Sequence, residues 1–391
     1  MSDHPTDMWP YYADDERQAV EDVLASGNVN YWTGDKGKAF EAEFARASSC
    51  EFGIAVANGT VALELALVAL GLNPGDEVIV PSYTFIASAS AVVLRGGTPV
   101  FADVDSSLTI DAASIESKIT HKTKGIIVVH LLGYPCDMEP ILKLARENEL
   151  FVLEDCAQAH GASYKGKTVG SMGDMAAFSF CQDKIMTTGG EGGMVTTNRA
   201  DLYEVAWSYK DHGKNQPAMQ CAEKSPGFNW LHDSFGTNWR MTEMQAAIGL
   251  IQLTKLCDWI YHRRENALLL DRYFESIDGL IRPDFGEARF HVFYRYSILV
   301  PSSLFRTGWN RDRLVGELNS RGVVCGSGIC PEVYLEQAFQ KAGLGPGDRL
   351  LNSMTFGEMS IQFPVHPNMS GSYQEHRLET LQEVFAESTC G

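Results

Sequence analysis

A lysine that follows an apolar strand and precedes a glycine-rich loop is the first residue of this chain that could do covalent chemistry. In AFSFCQDKIMTTGGEGGMV that residue is Lys184. A solvated lysine is protonated and inert, whereas one set against a cofactor in a desolvated crevice can lose its proton and form a Schiff base. A lysine in a loop is more often a surface residue, so the assignment rests on its neighbours. Gly189, Gly190, Gly192 and Gly193 permit close backbone approach, and they equally suit a plain strand connection.

Three other places put polar residues directly after apolar runs. In LFVLEDCAQAH a buried strand runs into Glu154 and Asp155. A carboxylate there is costly unless it meets a cation or accepts hydrogen bonds; alternatively it caps a following helix, with Gln158 completing a capping box. Asn58-Gly59-Thr60 ends IAVA and opens the helical run VALELALVAL, a turn whose free N–H groups suit a phosphate and equally fit an ordinary N-cap. In FGTNWRMTEMQAAIGLIQL, Asn238 and Arg240 precede an apolar-periodic helix, which by spacing alone is a capped core helix. The ten histidines give no HxxxH or HExxH spacing, so no metal is expected. GxSxG, GxGxxG and GxxxxGK[ST] patterns are missing, which removes hydrolase, dinucleotide and P-loop readings.

The elements that must position these residues follow from periodicity. An acidic amphipathic helix from Asp14 to Ala25 and a second helix carrying Phe40 and Phe44 form an arm. From Ile54 short buried runs alternate with helices: IAVANGT, a helix Val61 to Leu70, DEVIVPS, PVFADV, GIIVVHLLG, a helix Glu139 to Glu147, LFVLED, MAAFSF and GGMVTTN. Runs that are apolar on both faces and separated by helices predict an α/β fold, with a mostly parallel sheet covered by helices. Beyond about residue 255 the pattern becomes a long charged helix, HVFYRYSILVP as a strand, a helix Arg311 to Arg321, another strand and a closing helix. This predicts a large domain over 1–255 and a smaller α+β domain over 256–391. Ligands of open parallel sheets sit beyond the carboxyl ends of the strands, so polar residues directly after apolar runs are the places to look.

Composition narrows the partners. The 391 residues are 45% apolar and 21% charged, which is ordinary for a protein that buries a large core. A net charge of −18 opposes contact with nucleic acid or anionic lipid, though local N–H groups can still hold one phosphorylated small molecule. Nine scattered cysteines without a CxxC pair predict reduced thiols and a cytoplasmic protein. No signal-peptide pattern and no membrane-length apolar stretch is present, so a soluble, non-exported protein is expected.

Taken together, NGTVALELAL, PSYTFIASASAV, VHLLGYPCDM, EDCAQAHGASYKGKTVGSMGD, AFSFCQDKIMTTGGEGG, NWRMTEMQAAIGLIQL and FPVHPNM make the chain resemble, over nearly its whole length, the DegT/DnrJ/StrS-type nucleotide-sugar aminotransferases. The resemblance implies the aspartate-aminotransferase-like, type I fold and pyridoxal 5'-phosphate as cofactor. Lys184 would then carry the Schiff base and shuttle the proton, and Asp155 would keep the pyridine nitrogen protonated. Gln158 would bond the ring 3-oxygen, and Phe85 would stack on the ring. Gly59, Thr60 and Ser179 would hold the phosphate, with Asn238 reaching over from the second subunit of a homodimer.

Family members that remove a sugar hydroxyl carry histidine where this chain has Lys184, so the resemblance implies amine transfer. Glutamate would be the donor and a nucleotide-linked keto-deoxysugar the acceptor, at C4 first and C3 second, for a surface glycan or a secondary metabolite. A keto-cyclitol acceptor and a non-catalytic cofactor-binding regulator are the rivals. The run GVVCGSGICPEVYLEQAF and the CQD before the lysine depart from common members. Trp32, Tyr83, His212 and Tyr334 are open between substrate contact and core packing.

Overall fold

The computed structural model describes residues 8–216, 218–219, 229–282 and 288–389. Helices α1 (Asp14–Ser26) and α2 (Lys36–Ala47) form the arm. Three acids in the first turn of α1 face the positive end of its dipole, and Gly27 closes it in the left-handed conformation at φ 71°. The large unit continues through β1 (Phe52–Val56), α3 (Gly59–Ala69), β2 (Glu77–Pro81), α4 (Ile86–Leu94), β3 (Thr98–Ala102), α5 (Ala112–Glu116), β4 (Thr123–Val129), α6 (Met138–Glu147) and β5 (Phe151–Asp155). Two short strands, β6 (Ser163–Tyr164) and β7 (Lys167–Thr168), pair with each other and precede β8 (Met175–Ser179), β9 (Gly193–Thr197) and α7 (Ala200–Lys210).

The main sheet has seven strands in the order β1-β9-β8-β5-β4-β2-β3. Strands β8, β5, β4, β2 and β3 pair in parallel, and β9 lies antiparallel to both of its neighbours. Successive residues of one strand feed opposite cores, because side chains alternate across a sheet. Val78 and Val80 join the core under α3 and α4, whereas Ile79 joins the core under α6. All parallel strands therefore end at one edge, which collects Asp155, Ser179 and the segment after β2.

Helix α8 (Glu243–Phe274) is unbroken for 32 residues and opens with a Thr242/Gln245 capping box. The change of pattern near residue 255 falls inside it. Its N-terminal part, with Ala246, Leu256 and Ile260, packs against the large unit; Ala267, Leu270 and Phe274 belong to the C-terminal core. That core is completed by β11 (Tyr296–Leu299), α9 (Arg311–Ser320), β12 (Ser360–Phe363) and α12 (Gly371–Ser388), with β11 and β12 paired antiparallel, whereas β10 (Arg289–Phe290) pairs with β6 and α10 (Gln337–Ala342) and α11 (Leu351–Met359) pack on the core under α3 and α4.

The strand expected over HVFYRYSILVP is confined to Tyr296–Leu299. Upstream, Phe293 takes φ 50°, and the N–H groups of Val292 and Tyr294 donate to Gly133 and Leu132 at 3.1 and 2.9 Å. Those bonds pull residues 291–295 onto the large unit, and that brings Tyr294 to the strand-end edge. The seven described cysteines are free; Cys221 and Cys390 lie outside the described residues. No helix is long and apolar enough to cross a membrane among the described residues.

Candidate active site

A cleft of about 810 Å³ opens at the carboxyl edge of the parallel strands, between the large unit and the C-terminal core. Its lining includes Lys184, Asp155, Gly59, Thr60, Phe85, Gln158 and Ser179. Asn238 stands apart: it is exposed on the segment before α8, bridged to Asp211, and does not line the cleft of its own chain.

The two carboxylates at the end of β5 point to opposite faces. Glu154 is sealed, accepting N–H groups of Gly170, Met172 and Gly173 at 2.9, 2.8 and 2.7 Å and meeting His130 Nε2 at 2.9 Å. Burial alone would raise its pKa, but His130 and the backbone donors hold it below the usual range. Its oxygens are already committed, so the cluster of Glu154 with His130 and Cys156 is a hydrogen-bond network holding the 170–173 turn. Asp155 faces the cleft, where it accepts Ser88 Oγ at 2.7 Å and the Ala157 N–H at 3.1 Å. Burial pushes its pKa up against these bonds. No helix follows β5, so the capping reading of Asp155 and Gln158 does not apply. Gln158 Oε1 instead takes the Leu132 N–H at 2.7 Å, leaving the amide NH2 as its remaining donor.

Asn58 does cap α3, through Val61 N–H at 3.0 Å, so the helix starts at Gly59, two residues before the sequence boundary. The cap leaves the amides of Gly59 and Thr60, which no carbonyl within the helix can reach, at the positive end of the dipole. A Cβ on Gly59 would come within 2.6 Å of Ser179 Cβ. Glycine is therefore what lets this helix start close against the end of β8. Phe85 is 62% exposed, an aromatic ring left on the cleft wall.

Lys184 Nζ lies 3.2 Å from Asp183 Oδ1 and 5.0 Å from the centre of the Tyr294 ring. Burial alone would lower the Lys184 pKa, but Tyr294 and Asp183 more than offset it and the direction is up. Burial would likewise raise Asp183, yet Lys184 and the Tyr294 hydroxyl hold its carboxyl below the usual range. The arm reaches this point too, since Trp9 Nε1 donates to the Lys184 carbonyl at 2.8 Å.

Trp9, Ser88, Tyr294 and Arg295 were not singled out from the sequence. Thr84 and Ser88, bonded at 2.8 Å one helical turn apart, carried a readable signal; Tyr294 and Arg295 sat inside a run read as strand. None of Trp32, Tyr83, His212 and Tyr334 lines the cleft. Tyr83 and Tyr334 are core residues at 1% and 2% exposure, Trp32 packs on Tyr31 and Trp207, and His212 is exposed beside His232.

The residues fit pyridoxal phosphate. A buried carboxylate with a raised pKa calls for a cation such as a pyridine N–H, the open start of α3 suits a phosphate, and a lysine lies in the same cleft. Fold and site define a pyridoxal-phosphate-dependent transferase of the type I fold. The chain belongs to the DegT/DnrJ/EryC1/StrS aminotransferase family, which it matches over residues 10–382. It is 38% identical to the GDP-perosamine synthase of Escherichia coli O157:H7 over 95% of this chain and 96% of that protein. An aminotransferase structure from Psychrobacter cryohalolentis superposes with a TM-score of 0.96 at 48% identity, covering 98% of this chain and 99% of that one. The putative sugar aminotransferase Spr1654 of Streptococcus pneumoniae, solved in its PLP form, superposes with a TM-score of 0.86 at 25% identity over 97% and 98% of the two chains.

Proposed function

We propose that this enzyme moves the amino group of glutamate to a keto carbon of a nucleotide-linked deoxysugar, C4 by preference and C3 as second choice. The convergence of Lys184 and Asp155 on one cleft, beside the open start of α3, carries the reading. Likeness to a GDP-perosamine synthase supports a nucleotide-sugar acceptor.

Bound pyridoxal phosphate supplies an aldehyde for imine formation and a ring that withdraws electrons. The chain supplies the rest. Lys184 Nζ provides the attachment amine and, once released, carries the proton between the donor and the cofactor. Asp155, oriented by Ser88, holds the proton on the ring nitrogen. The amides of Gly59 and Thr60 and the Ser179 hydroxyl bind the phosphate, Gln158 donates to the ring oxygen, and Phe85 covers one ring face. Arg295 lines the cleft with no carboxylate partner among the described residues, which leaves its planar fork for a carboxylate of the donor.

A homodimer belongs to the same reading, with Asn238 of the partner subunit closing the phosphate end. Support comes from Trp230 and Phe235, which stand 84% and 99% exposed on the segment that carries Asn238. A cytoplasmic location is supported by the free cysteines.

The test is amination of UDP-, GDP- and dTDP-linked keto-deoxysugars with glutamate, with the new C–N bond located by NMR. Turnover of a free keto-cyclitol with none of any nucleotide sugar overturns the proposal; an amine at C3 revises the position only.

A further inference from the structure

Lys184 sits in neither a helix nor a strand: residues 180–192 form an irregular connection between β8 and β9. No ladder holds its backbone, so individual bonds must. Its N–H donates to Cys181 O at 3.0 Å, and its carbonyl accepts Trp9 Nε1–H at 2.8 Å across 175 positions of sequence. The second bond comes from the arm, outside both units that form the cleft.

The indole is seated by distant groups. Trp259, on α8, meets it edge-on at 5.0 Å, the Arg263 guanidinium lies 5.0 Å from its ring centre one turn further along that helix, and His366 stacks at 6.4 Å. Asn368 Nδ2 donates to the Met8 carbonyl at 3.2 Å, which ties down the preceding residue. Arg263 is the telling neighbour. It is buried, its Nε and Nη2 have no hydrogen-bond partner among the described residues, and burial pulls its pKa down to about 9. An aromatic face attracts such a cation, more strongly where water is excluded. Arg263 Nη1 donates to Tyr294 O at 3.3 Å, the Tyr294 hydroxyl donates to Asp183, and Asp183 Oδ1 lies 3.2 Å from Lys184 Nζ. The contacts close a ring from Trp9 through Arg263, Tyr294 and Asp183 to Lys184 and back. Trp9, Arg263, Asp183 and Tyr294 line one small cavity of about 130 Å³, and the last two also line the cleft. Lys184 is therefore held at its carbonyl and at its amine by one connected set of groups.

We propose that Trp9 is a positioning residue for Lys184, its N–H fixing the lysine backbone so that Nζ meets the cofactor aldehyde. This rests on the reading of Lys184 as the attachment lysine. In that step the amine nitrogen attacks the aldehyde carbon, a C=N bond forms and the aldehyde oxygen leaves as water, with no change of oxidation state. Misplacing the attacking atom by about 1 Å can slow such a step by up to ~10²-fold. Trp9 touches none of Gly59, Thr60 and Ser179, so the phosphate cradle should not feel its loss.

The test uses the full-length apoprotein as wild type, Trp9→Phe and Trp9→Leu. Phenylalanine keeps a ring face for Arg263 and removes the N–H; leucine removes both. Stopped-flow absorbance at saturating pyridoxal phosphate reads the first-order imine step, and calorimetry with pyridoxamine phosphate, which has no aldehyde, reads the cradle alone. Trp9→Phe is expected to slow the imine step roughly 5–20-fold and Trp9→Leu further, with pyridoxamine phosphate affinity within about twofold of wild type in both. A lowered melting temperature with an unchanged imine step would make Trp9 structural only and overturn the proposal. A parallel loss of pyridoxamine phosphate affinity would move the effect to the cradle and overturn it equally. If borohydride reduction of wild-type holoenzyme labels Lys184 while Trp9→Phe reacts at the wild-type rate, only this inference falls. If the label lands on another residue, the reading of Lys184 falls with it.

Discussion

Two regions of the molecule each bury a lysine near acids. In the cleft, Lys184 keeps 16% of its side chain accessible and lies beside Asp183, with Asp155 on the same lining. Behind α2, Lys210 is fully buried, 3.8 Å from the centre of the Tyr31 ring and 3.7 Å from Glu41 Oε1. Burial pushes the Lys210 pKa down and the Glu41 carboxyl up, each against the pull of the other. A search for the most desolvated lysine with a lowered pKa would select Lys210, whose amine no substrate can reach. The cleft lysine has its pKa raised by Tyr294 and Asp183, yet it alone meets open volume. Access and neighbours therefore identify a reactive amine, while desolvation alone identifies a structural one. The carboxylates repeat the contrast. Glu154 is satisfied four times over in the interior, and Asp155, one residue on, keeps a raised pKa that only a ligand cation would relieve.

The largest test of this contrast is Lys184→Ala. Turnover should fall about 10^4-fold or more, with loss of the visible absorbance of lysine-bound cofactor and unchanged circular dichroism. Full activity would remove the distinction between the two lysines. Next comes Lys210→Met, which strands Glu41 without its cation and should destabilise the protein by about 3–5 kcal/mol in urea unfolding. Adding Glu41→Gln should recover much of that loss, and specific activity at low temperature should hold throughout. Parallel inactivation in Lys210→Met would place this lysine in the chemistry after all.

Asp155→Asn should reduce kcat by roughly 10²–10³-fold, since it removes the charge that we propose holds the ring nitrogen protonated. Its effect on stability has the opposite sign. The folded apoprotein holds the Asp155 proton more tightly than the unfolded chain does, so wild-type stability falls as pH rises through the window above ~4. The variant lacks that term, and its stability relative to wild type should grow across the window in denaturant titrations; a shrinking difference would reverse the assigned shift. The smallest effect belongs to Asp183→Asn. Asp183 favours the ammonium form of Lys184, so its removal should move the ascending limb of cofactor reattachment rate to lower pH. A limb that stays put would show that Tyr294 alone sets the lysine.

Much of this was legible in the chain. Buried runs alternating with helices gave the parallel sheet because a strand covered on both faces must be apolar throughout. Strand-end polar residues pointed to the cleft because open α/β sheets gather ligands there. The helix after Asn58 was off by two residues, since a cap and a phosphate turn have the same sequence. The sequence predicts strand over His291 to Arg295 as well, but the bonds of this segment go to Gly133 and Leu132, more than 150 positions away, and no local pattern records them. Trp9 carries no local signal for the same reason, as its partner is the Lys184 carbonyl 175 residues distant.

By itself the sequence determined the α/β class, the family and the chemistry available at Lys184 and Asp155, because periodicity and residue type are local properties. Only the tertiary structure decided which buried groups face open space. It separated Asp155 from Glu154 and set Lys184 beside Asp183 and Tyr294. Burial, pairing and electrostatics depend on groups brought together from distant parts of the chain, and folding alone fixes those distances.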